Sequence, residues 1–228
     1  MTDETRTLSR RALLQMAFPV TGLALLDPMR FVLAQEPANR LTPEQIMGPF
    51  YPVLKPLDRD SDLTRIVGKR GHAQGKVIHL TGHVRNSKGE PVRGARIEIW
   101  QANAKGRYDH PGDINPAPLD PNFQGFGVQV TDAEGRYRFK TIKPAAYPIN
   151  PLNPGNVRPP HIHFDVTGRK GRLMTQMYFP DEPLNEQDII FKDLGADKPA
   201  AICKVLPAGK TFEADSSLVV WDIVLDRG

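Results

Sequence analysis

The length and composition of this chain favour a single β-rich domain. With 228 residues it has the size of one β-sandwich, and its 22 prolines, about twice the average usage, favour structured loops over a helical bundle. The formal net charge of +4 is small and is not concentrated in a dense stripe of lysine and arginine, so the sequence gives no indication of nucleic-acid binding.

The first 34 residues have the pattern of a twin-arginine signal peptide. Arg10 and Arg11 precede an apolar stretch, residues 12–26, that is shorter than the roughly 20 apolar residues needed to cross a bilayer. The sequence Val32-Leu33-Ala34 then offers a cleavage site. We therefore predict that residues 1–34 are removed, that no stable membrane anchor remains, and that the protein is exported to the periplasm or the exterior. The alternative is a cytoplasmic protein with a basic amphipathic start.

Residues 35–75 are predicted to form an N-terminal arm that contains one short helix. The sequence Thr42-Pro43-Glu44-Gln45 is a capping-box pattern with proline at the first helical position. It predicts a helix that begins after Thr42 and ends near Gly48, where a turn through Pro49 follows.

The remainder, residues 76–228, is predicted to be a β-sandwich domain that carries the functional site. Its strand candidates show alternating polarity or many β-branched residues and are residues 77–84, 95–100, 125–131, 137–142, 161–167, 174–179 and 218–225. Residues 185–194 are weakly helical. The pattern predicts an all-β fold, an antiparallel β-sandwich with long Pro-rich loops and one or two short helices. Residues 109–124 are too long for an ordinary connection and are predicted to be functional or disordered.

Two histidines separated by one residue are the most informative feature of the domain. In a strand, side chains alternate between faces, so His161 and His163 point the same way, with Cα atoms roughly 7 Å apart, while Ile162 points toward the core. Two such imidazoles can bind one metal ion. They can also be half-exposed histidines that hydrogen-bond to neighbours. Tyr108 and Tyr147 lie in loop-like sequence, where binding residues tend to occur.

Other titratable residues have simpler interpretations. His79 and His83 alternate correctly on one strand, but no tyrosine or carboxylate motif accompanies them, so we predict that they are exposed strand residues. Cys203 is the single cysteine, which excludes an intrachain disulfide. Its apolar surroundings predict a buried, unreactive thiol.

Several motifs in residues 42–228 together resemble the intradiol ring-cleavage dioxygenases, and most of all the β chains of the protocatechuate 3,4-dioxygenase branch. The matching motifs are Trp100-Gln101-Ala102-Asn103, Gly106-Arg107-Tyr108, Tyr147-Pro148, Arg158-Pro159-Pro160-His161-Ile162-His163-Phe164 and Thr175-Gln176-Met177-Tyr178-Phe179. The resemblance implies an enzyme that uses O2 to cleave catechol-type rings between the two hydroxylated carbons. Its products would be cis,cis-muconate derivatives, and its substrate protocatechuate or a related substituted catechol.

The resemblance also implies a cofactor, non-haem Fe(III), and its ligands, Tyr108, Tyr147, His161 and His163. Phenolate oxygens need a strongly acidic metal at neutral pH, which suits ferric iron, whereas zinc normally takes cysteine, histidine and carboxylate ligands. Ferrous sites of the two-histidine, one-carboxylate type use a different ligand set.

Three further roles follow from the same resemblance. Tyr147 would leave the metal and accept a proton from the arriving catechol. Arg158 would stabilise negative charge on the substrate ring, and Gln176 would hydrogen-bond a ligand or orient the substrate. From the residues alone, Arg158 can also be a surface salt bridge and Gln176 a strand-face amide. Ile149 departs from the bulky aromatic residue usual after Tyr-Pro in the branch, which implies room for a different ring substituent.

Two alternatives belong to other classes. The first half of the domain also resembles transthyretin-like and carboxypeptidase-regulatory-like binding modules, which lack Tyr147 and the histidine pair. A zinc hydrolase would need an HExxH helix or a third carboxylate ligand, and the sequence offers neither clearly. As partners, the resemblance implies a homo-oligomer or a heteromer with a related α chain.

Overall fold

A computed structural model describes residues 40–152 and 155–227. They belong to one compact unit, Glu36–Gly228. The predicted signal peptide, residues 1–34, lies outside the described residues. In the described part the strands are β1 Val77–Asn86, β2 Arg96–Trp100, β3 Phe126–Val130, β4 Arg136–Ile142, β5 Tyr147–Pro148, β6 Val157–Arg158, β7 His161–Thr167, β8 Arg172–Tyr178, β9 Lys204–Pro207, β10 Ser217–Val220 and β11 Ile223–Leu225.

The first sheet is built around β1 and is mixed. Strand β4 pairs with β1 in antiparallel fashion, whereas β10 and β11 both pair with it in parallel. The single strand predicted at residues 218–225 is therefore two, which break at Trp221. At this break the chain approaches β1 closely: a Cβ atom added at Gly82 would lie 1.8 Å from the Trp221 carbonyl oxygen. The predicted all-β fold is confirmed, and these two parallel pairings are exceptions to its antiparallel pattern.

The second sheet, in the order β3-β2-β7-β8, is antiparallel throughout and carries the histidine pair. Strand alternation divides its side chains as predicted. Ile162 and Phe164 are fully buried in the core between the sheets. His161 and His163 occupy the opposite face of β7, and Trp100 is the cross-strand neighbour of His163 on β2.

The helix predicted after Thr42 does not form: residues 41–48 contain no helical turn. The backbone N–H of Thr42 donates to the Val224 carbonyl at 3.0 Å, and its hydroxyl accepts from the Val224 N–H at 2.9 Å. The Gln45 N–H donates to the Met174 carbonyl at 2.8 Å. Polar groups that would cap a helix are thus used in long-range hydrogen bonds, which hold the arm in an irregular conformation against β11 of the first sheet and β8 of the second.

The helical region is short and interrupted. The predicted segment 185–194 contains a 3-10 turn, Asn185–Gln187, and a four-residue α-helix, Ile189–Lys192. A second pair of short turns, Gly195–Asp197 and Lys198–Ala201, was not predicted. No helix in the described ranges is long and apolar enough to cross a membrane.

The prediction that His79 and His83 are exposed is wrong. Only 9% of His79 and 7% of His83 is exposed. His79 Nε2 lies 2.6 Å from a carboxylate oxygen of Glu213, and the backbone N–H of His83 donates to Asp222 at 2.8 Å. The predicted burial of Cys203 is confirmed, and burial raises the pKa of its thiol to about 12.

Candidate metal centre

Four aromatic side chains from three parts of the chain meet in one buried cluster. The ring centroids of Tyr108 and Tyr147 are 5.3 Å apart, and those of His161 and His163 are 4.8 Å apart. The ring centroids of Tyr147 and His161 are 5.6 Å apart, and those of Tyr108 and His163 are 6.2 Å apart. Each of the four is at most 6% exposed, so the structure brings together all of the predicted metal ligands.

A short ribbon brings Tyr147 to the histidines. Strand β5 pairs with β6 so that Tyr147 lies opposite Arg158. Two prolines, whose φ angles are fixed, then lead directly to His161. Neither β5 nor β6 was predicted, because two-residue strands leave no periodic signal.

Tyr108 is positioned by the loop that follows β2. The Tyr108 N–H donates to Asp113 at 2.7 Å, and the side chain of Asn115 donates to the Gly106 carbonyl at 2.8 Å. Asp113 and Asn115 both belong to the long segment 109–124, which therefore supports the tyrosine. Gly106, at φ +77, lets the loop approach the segment before β5: a Cβ atom there would lie 2.5 Å from the Ala146 carbonyl oxygen.

The protonation of the histidines favours metal binding. His161 Nδ1 lies 2.7 Å from the Pro159 carbonyl oxygen, which can only accept, so this nitrogen carries the proton and Nε2 has a free lone pair. His163 Nε2 lies 3.2 Å from His161 Nε2. Burial, and secondly the Arg158 cation, lowers the pKa of both histidines well below the usual value. Both imidazoles are therefore neutral, the form that binds a metal.

Burial disfavours the ionisation of both tyrosines. Burial raises the pKa of Tyr108 well above its ordinary value, and the neighbouring Tyr147 raises it further. Among the described residues, the Tyr108 hydroxyl has no hydrogen-bond partner of good geometry. Burial also raises the pKa of Tyr147, although Arg158 opposes the effect. Such a buried, unpaired hydroxyl needs a partner that the protein itself does not supply.

Arg158 is not a surface salt bridge, because only 4% of it is exposed. Its Nη2 lies 2.9 Å from Asp188 Oδ2 and donates to Gln176 Oε1 at 2.7 Å and to the Tyr178 hydroxyl at 3.0 Å. Gln176 in turn donates to the Ile46 carbonyl at 3.0 Å. Both polar ends of Gln176 therefore have protein partners, and the residue links Arg158 to the arm. Sequence reasoning missed Asp188, whose only signal is its place before a weakly helical stretch.

The arm covers the cluster from the solvent side. The Phe50 ring lies 4.7 Å from that of Tyr108 and 6.2 Å from that of Tyr147. A small cavity of about 90 Å³ borders Phe50, Trp100 and Tyr108. Two larger cavities, of about 630 and 710 Å³, are lined by residues remote from the cluster, so their size does not make them candidates for the chemistry.

The donor set limits the alternatives. Within residues 40–152 and 155–227, no group of three or more histidine, cysteine, aspartate and glutamate side chains is arranged to hold a metal. A metal at the histidine pair would therefore take the tyrosines as ligands, which disfavours the zinc-hydrolase alternative. The convergence of Tyr147 with the histidine pair also separates the chain from the binding modules that its first half resembles.

Comparison with known proteins agrees with this geometry. The Dioxygenase family (Dioxygenase_C) matches residues 46–227. The protocatechuate 3,4-dioxygenase β chain of Burkholderia cepacia is 50% identical over 156 residues, 65% of this chain and 65% of that protein. A hydroxyquinol 1,2-dioxygenase of Rhizobium sp. (strain MTP-10005) is 36% identical over 129 residues, 52% of this chain and 42% of that protein. The matches thus span less than two thirds of these relatives' lengths.

A solved structure shares the fold. The dioxygenase domain of a dioxygenase–carbohydrate-binding fusion from Streptomyces sp. SirexAA-E aligns with a TM-score of 0.60 and 29% identity, over 83% of this chain and 100% of that one. The family match covers most of the chain, including every residue of the cluster. This chain belongs to the intradiol ring-cleavage dioxygenase family.

Proposed function

We propose that the protein is a non-haem Fe(III) dioxygenase that cleaves catechol-type rings between the two hydroxylated carbons and releases cis,cis-muconate derivatives. The observation that carries this proposal is the buried convergence of two phenols with two neutral imidazoles. The names of the relatives, a protocatechuate and a hydroxyquinol dioxygenase, support the reaction class.

Ferric iron fits the donors of this chain. The hydroxyl of Tyr108 is buried and unpaired, and its raised pKa means that only a strongly acidic metal would bind it as phenolate. His161 and His163 are held neutral and need not lose a proton. Two phenolates would offset two of the three charges of the ion, which lowers the cost of burying it. Tyr108, Tyr147, His161 and His163 would therefore hold the iron.

When bound, ferric iron would draw electron density from a catecholate and make a ring carbon reactive toward O2. Tyr147 would contribute proton transfer. Because burial raises its pKa, its phenolate is a good base, and on release it would accept a proton from the catechol hydroxyl at its own oxygen. Tyr108, whose loop is held by Asp113 and Asn115, would stay in place.

Arg158 would supply fixed positive charge beside the reacting ring. Asp188, Gln176 and Tyr178 hold its guanidinium, so no reorganisation is needed when negative charge develops on the substrate. In this arrangement Gln176 acts by orienting Arg158. The surrounding protein excludes water, which strengthens the interaction.

The substrate would be protocatechuate or a related substituted catechol, with O2 as the second substrate. Ile149, which is 46% exposed, directly follows Tyr147-Pro148 in the chain. The bulky aromatic residue usual at this position in the branch would fill more of the space beside the substrate ring. Ile149 therefore favours acceptance of a catechol whose ring substituent differs from that of protocatechuate. A panel that varies this substituent would identify the preferred catechol.

Assembly and export complete the proposal. The chain would form a homo-oligomer or pair with a related α chain; the Burkholderia relative is itself named a β chain. Residues 1–34 would direct export by the twin-arginine route, which moves folded proteins and so suits a cofactor inserted beforehand. Fusion of this segment to a reporter tests export: replacement of Arg10 and Arg11 by lysine should retain the reporter in the cytoplasm.

The reaction is tested by loading the purified protein with ferric iron and measuring O2 uptake over a panel of catechols, with identification of products by mass. We expect a wine-red protein and products that contain both atoms of O2 and derive from intradiol cleavage. His163→Gln should abolish uptake, whereas His72→Gln, at an exposed loop histidine, should not. Extradiol products, or no uptake with any catechol, would refute the proposal.

A further inference from the structure

The two histidines of the cluster are oriented in different ways. A histidine that binds a metal usually donates its other ring N–H to a protein acceptor, which fixes the ring. His161 follows this rule through its Nδ1 contact with the Pro159 carbonyl. His163 does not: its Nδ1 is buried and has no hydrogen-bond partner. His163 Nε2 does lie 3.2 Å from His161 Nε2, but Nε2 is also the atom that would bind a metal. When a metal replaces that contact, another one must set the plane of the His163 ring.

Packing supplies that contact. The Trp100 ring lies parallel to the His163 ring, with an interplanar angle of 8° and centroids 4.8 Å apart. The backbone at Gly48 approaches the same imidazole, since a Cβ atom there would lie 3.1 Å from His163 Cε1. The orientation of His163 thus depends on where Trp100 and the arm are held.

Trp100 is held in turn by Tyr51 of the arm. The Tyr51 ring meets Trp100 edge-on, with centroids 5.0 Å apart and an interplanar angle of 88°. The Tyr51 hydroxyl donates to Glu98 Oε2 at 2.5 Å. Glu98 lies two residues before Trp100 on β2 and so projects from the same face of the sheet. A continuous series of contacts therefore runs from Glu98 through Tyr51 and Trp100 to His163.

Glu98 is an unusual residue for this sheet face, because it is a carboxylate with only 2% exposure. A buried charge is costly unless it is paired. Lys55 Nζ pairs with both of its oxygens, at 2.7 and 3.0 Å, and Arg96 also contacts it. Tyr51 and Lys55 both belong to the arm. The main partners of this carboxylate therefore lie in the segment that covers the site.

We propose that Glu98 is a positioning residue: it fastens residues 48–55 of the arm and, through Tyr51 and Trp100, fixes the plane of the His163 ring. The proposal rests on the proposed function in that it treats His163 as an iron ligand. It assigns to Glu98 no contact with iron or substrate.

Two variants separate this role from general stability. Glu98→Gln removes the charge at nearly constant volume. Tyr51→Phe removes only the hydroxyl that Glu98 accepts and leaves the ring against Trp100. The matched control is Asp165→Asn. Asp165 is the residue of β7 that lies opposite Glu98 in the strand register, on the same sheet face. Asp165 is bonded by Arg172, outside the arm.

The first measurement uses the metal-free protein and is independent of catalysis. Stacking on Trp100 should shift the His163 ring proton resonance upfield, and the signal is assigned by its absence in His163→Gln. We expect both test variants to lose much of this shift and Asp165→Asn to keep it. The second measurement is ferric-iron affinity, which should fall about 10-fold in the two test variants, as for residues that orient metal ligands.

The outcomes distinguish the two proposals. If wild-type protein binds no ferric iron, the proposed function fails, while the ring-proton shift still tests the role of Glu98. If Glu98→Gln and Tyr51→Phe both keep the wild-type shift and affinity, the positioning role is refuted. Should Glu98→Gln fail to fold, Tyr51→Phe alone decides, because it deletes a single hydroxyl.

Discussion

Asp188 binds the guanidinium of Arg158 in a buried ion pair beside the metal-site cluster. Nε and Nη2 of Arg158 lie 3.1 and 2.9 Å from Asp188 Oδ2. The two side chains are only 5% and 1% exposed. Asp188 is itself fixed, because its other oxygen accepts from the Ile190 N–H at the start of a short helix. The position of the Arg158 cation is therefore set by the fold and not by the substrate.

Removal of this carboxylate should destabilise the protein strongly. Asp188→Ala leaves a buried guanidinium without its counter-ion, which costs roughly 3–5 kcal/mol when one partner of a buried pair is lost. Urea denaturation measures the free energy of unfolding. The control is Glu134→Ala, which breaks an exposed pair with Arg136 and should cost less than about 1 kcal/mol. Equal costs in the two variants would show that the Arg158–Asp188 pair is not needed for stability.

The visible spectrum should report the tyrosine ligands. In ferric-loaded protein, Tyr108→Phe should shift or remove the phenolate-to-iron absorption band, because one of the two phenolates is lost. Tyr137→Phe is the matched control. Tyr137 is also buried, but its hydroxyl donates to the Trp221 carbonyl in the core, away from the cluster. A Tyr108→Phe spectrum identical to that of wild type would exclude Tyr108 as a ligand.

The close approach at Gly106 should matter more than its backbone conformation. Gly106 and Gly89 have similar positive φ angles, +77 and +81, so alanine at either site incurs a conformational cost of roughly 1–2 kcal/mol. At Gly89 nothing lies within 4 Å of the added Cβ atom, whereas at Gly106 it meets the Ala146 carbonyl at 2.5 Å. Gly106→Ala should therefore destabilise more, by urea denaturation, and also weaken ferric-iron binding. Equal losses of stability in Gly106→Ala and Gly89→Ala would show that the close approach at Gly106 adds no cost.

The sequence predicts those parts of the site that depend on local periodicity. Strand alternation alone puts His161 and His163 on one face and Ile162 in the core, and the structure confirms this arrangement. The proximity of Tyr108 and Tyr147 is different. It results from a loop and a two-residue ribbon that no periodic pattern encodes, and only the family resemblance associates these tyrosines with the histidines.

The wrong predictions have a common physical cause, which is competition from long-range contacts. The arm carries a good helix-start signal at Thr42, but its capping groups find partners on Val224, far along the chain. His79 alternates like a solvent-facing residue, yet Glu213 and neighbouring elements bury it. The buried carboxylates Glu98 and Asp188 have no distinguishing local pattern, because their role depends on which cations the fold brings to them.

The single cysteine should be unreactive in the folded protein. Burial raises the pKa of Cys203 to about 12, so almost no thiolate forms at pH 8. We expect no reaction with a disulfide reagent such as DTNB in native protein, and one thiol per chain after unfolding in guanidinium chloride. Glutathione at the same pH serves as the reactive control. Stoichiometric labelling of native protein at the rate of glutathione would contradict the burial of this residue.

The contacts of Glu213 with Lys140 on β4 and His79 on β1 should give a small, pH-dependent contribution to stability. A hydrogen bond from Lys140, with further help from the backbone and from His79, lowers the pKa of Glu213 from 4.5 to about 2. Because the folded-state pKa lies below the unfolded value, the contribution is present above about pH 4.5 and is lost as the pH falls toward about 2. The side chain is 46% exposed, so the contribution should be less than about 1 kcal/mol at neutral pH. Glu213→Gln should therefore be slightly less stable than wild type at pH 7 and approach it on acidification. If the stability difference between wild type and Glu213→Gln instead grows as the pH falls, folding does not lower the pKa of Glu213.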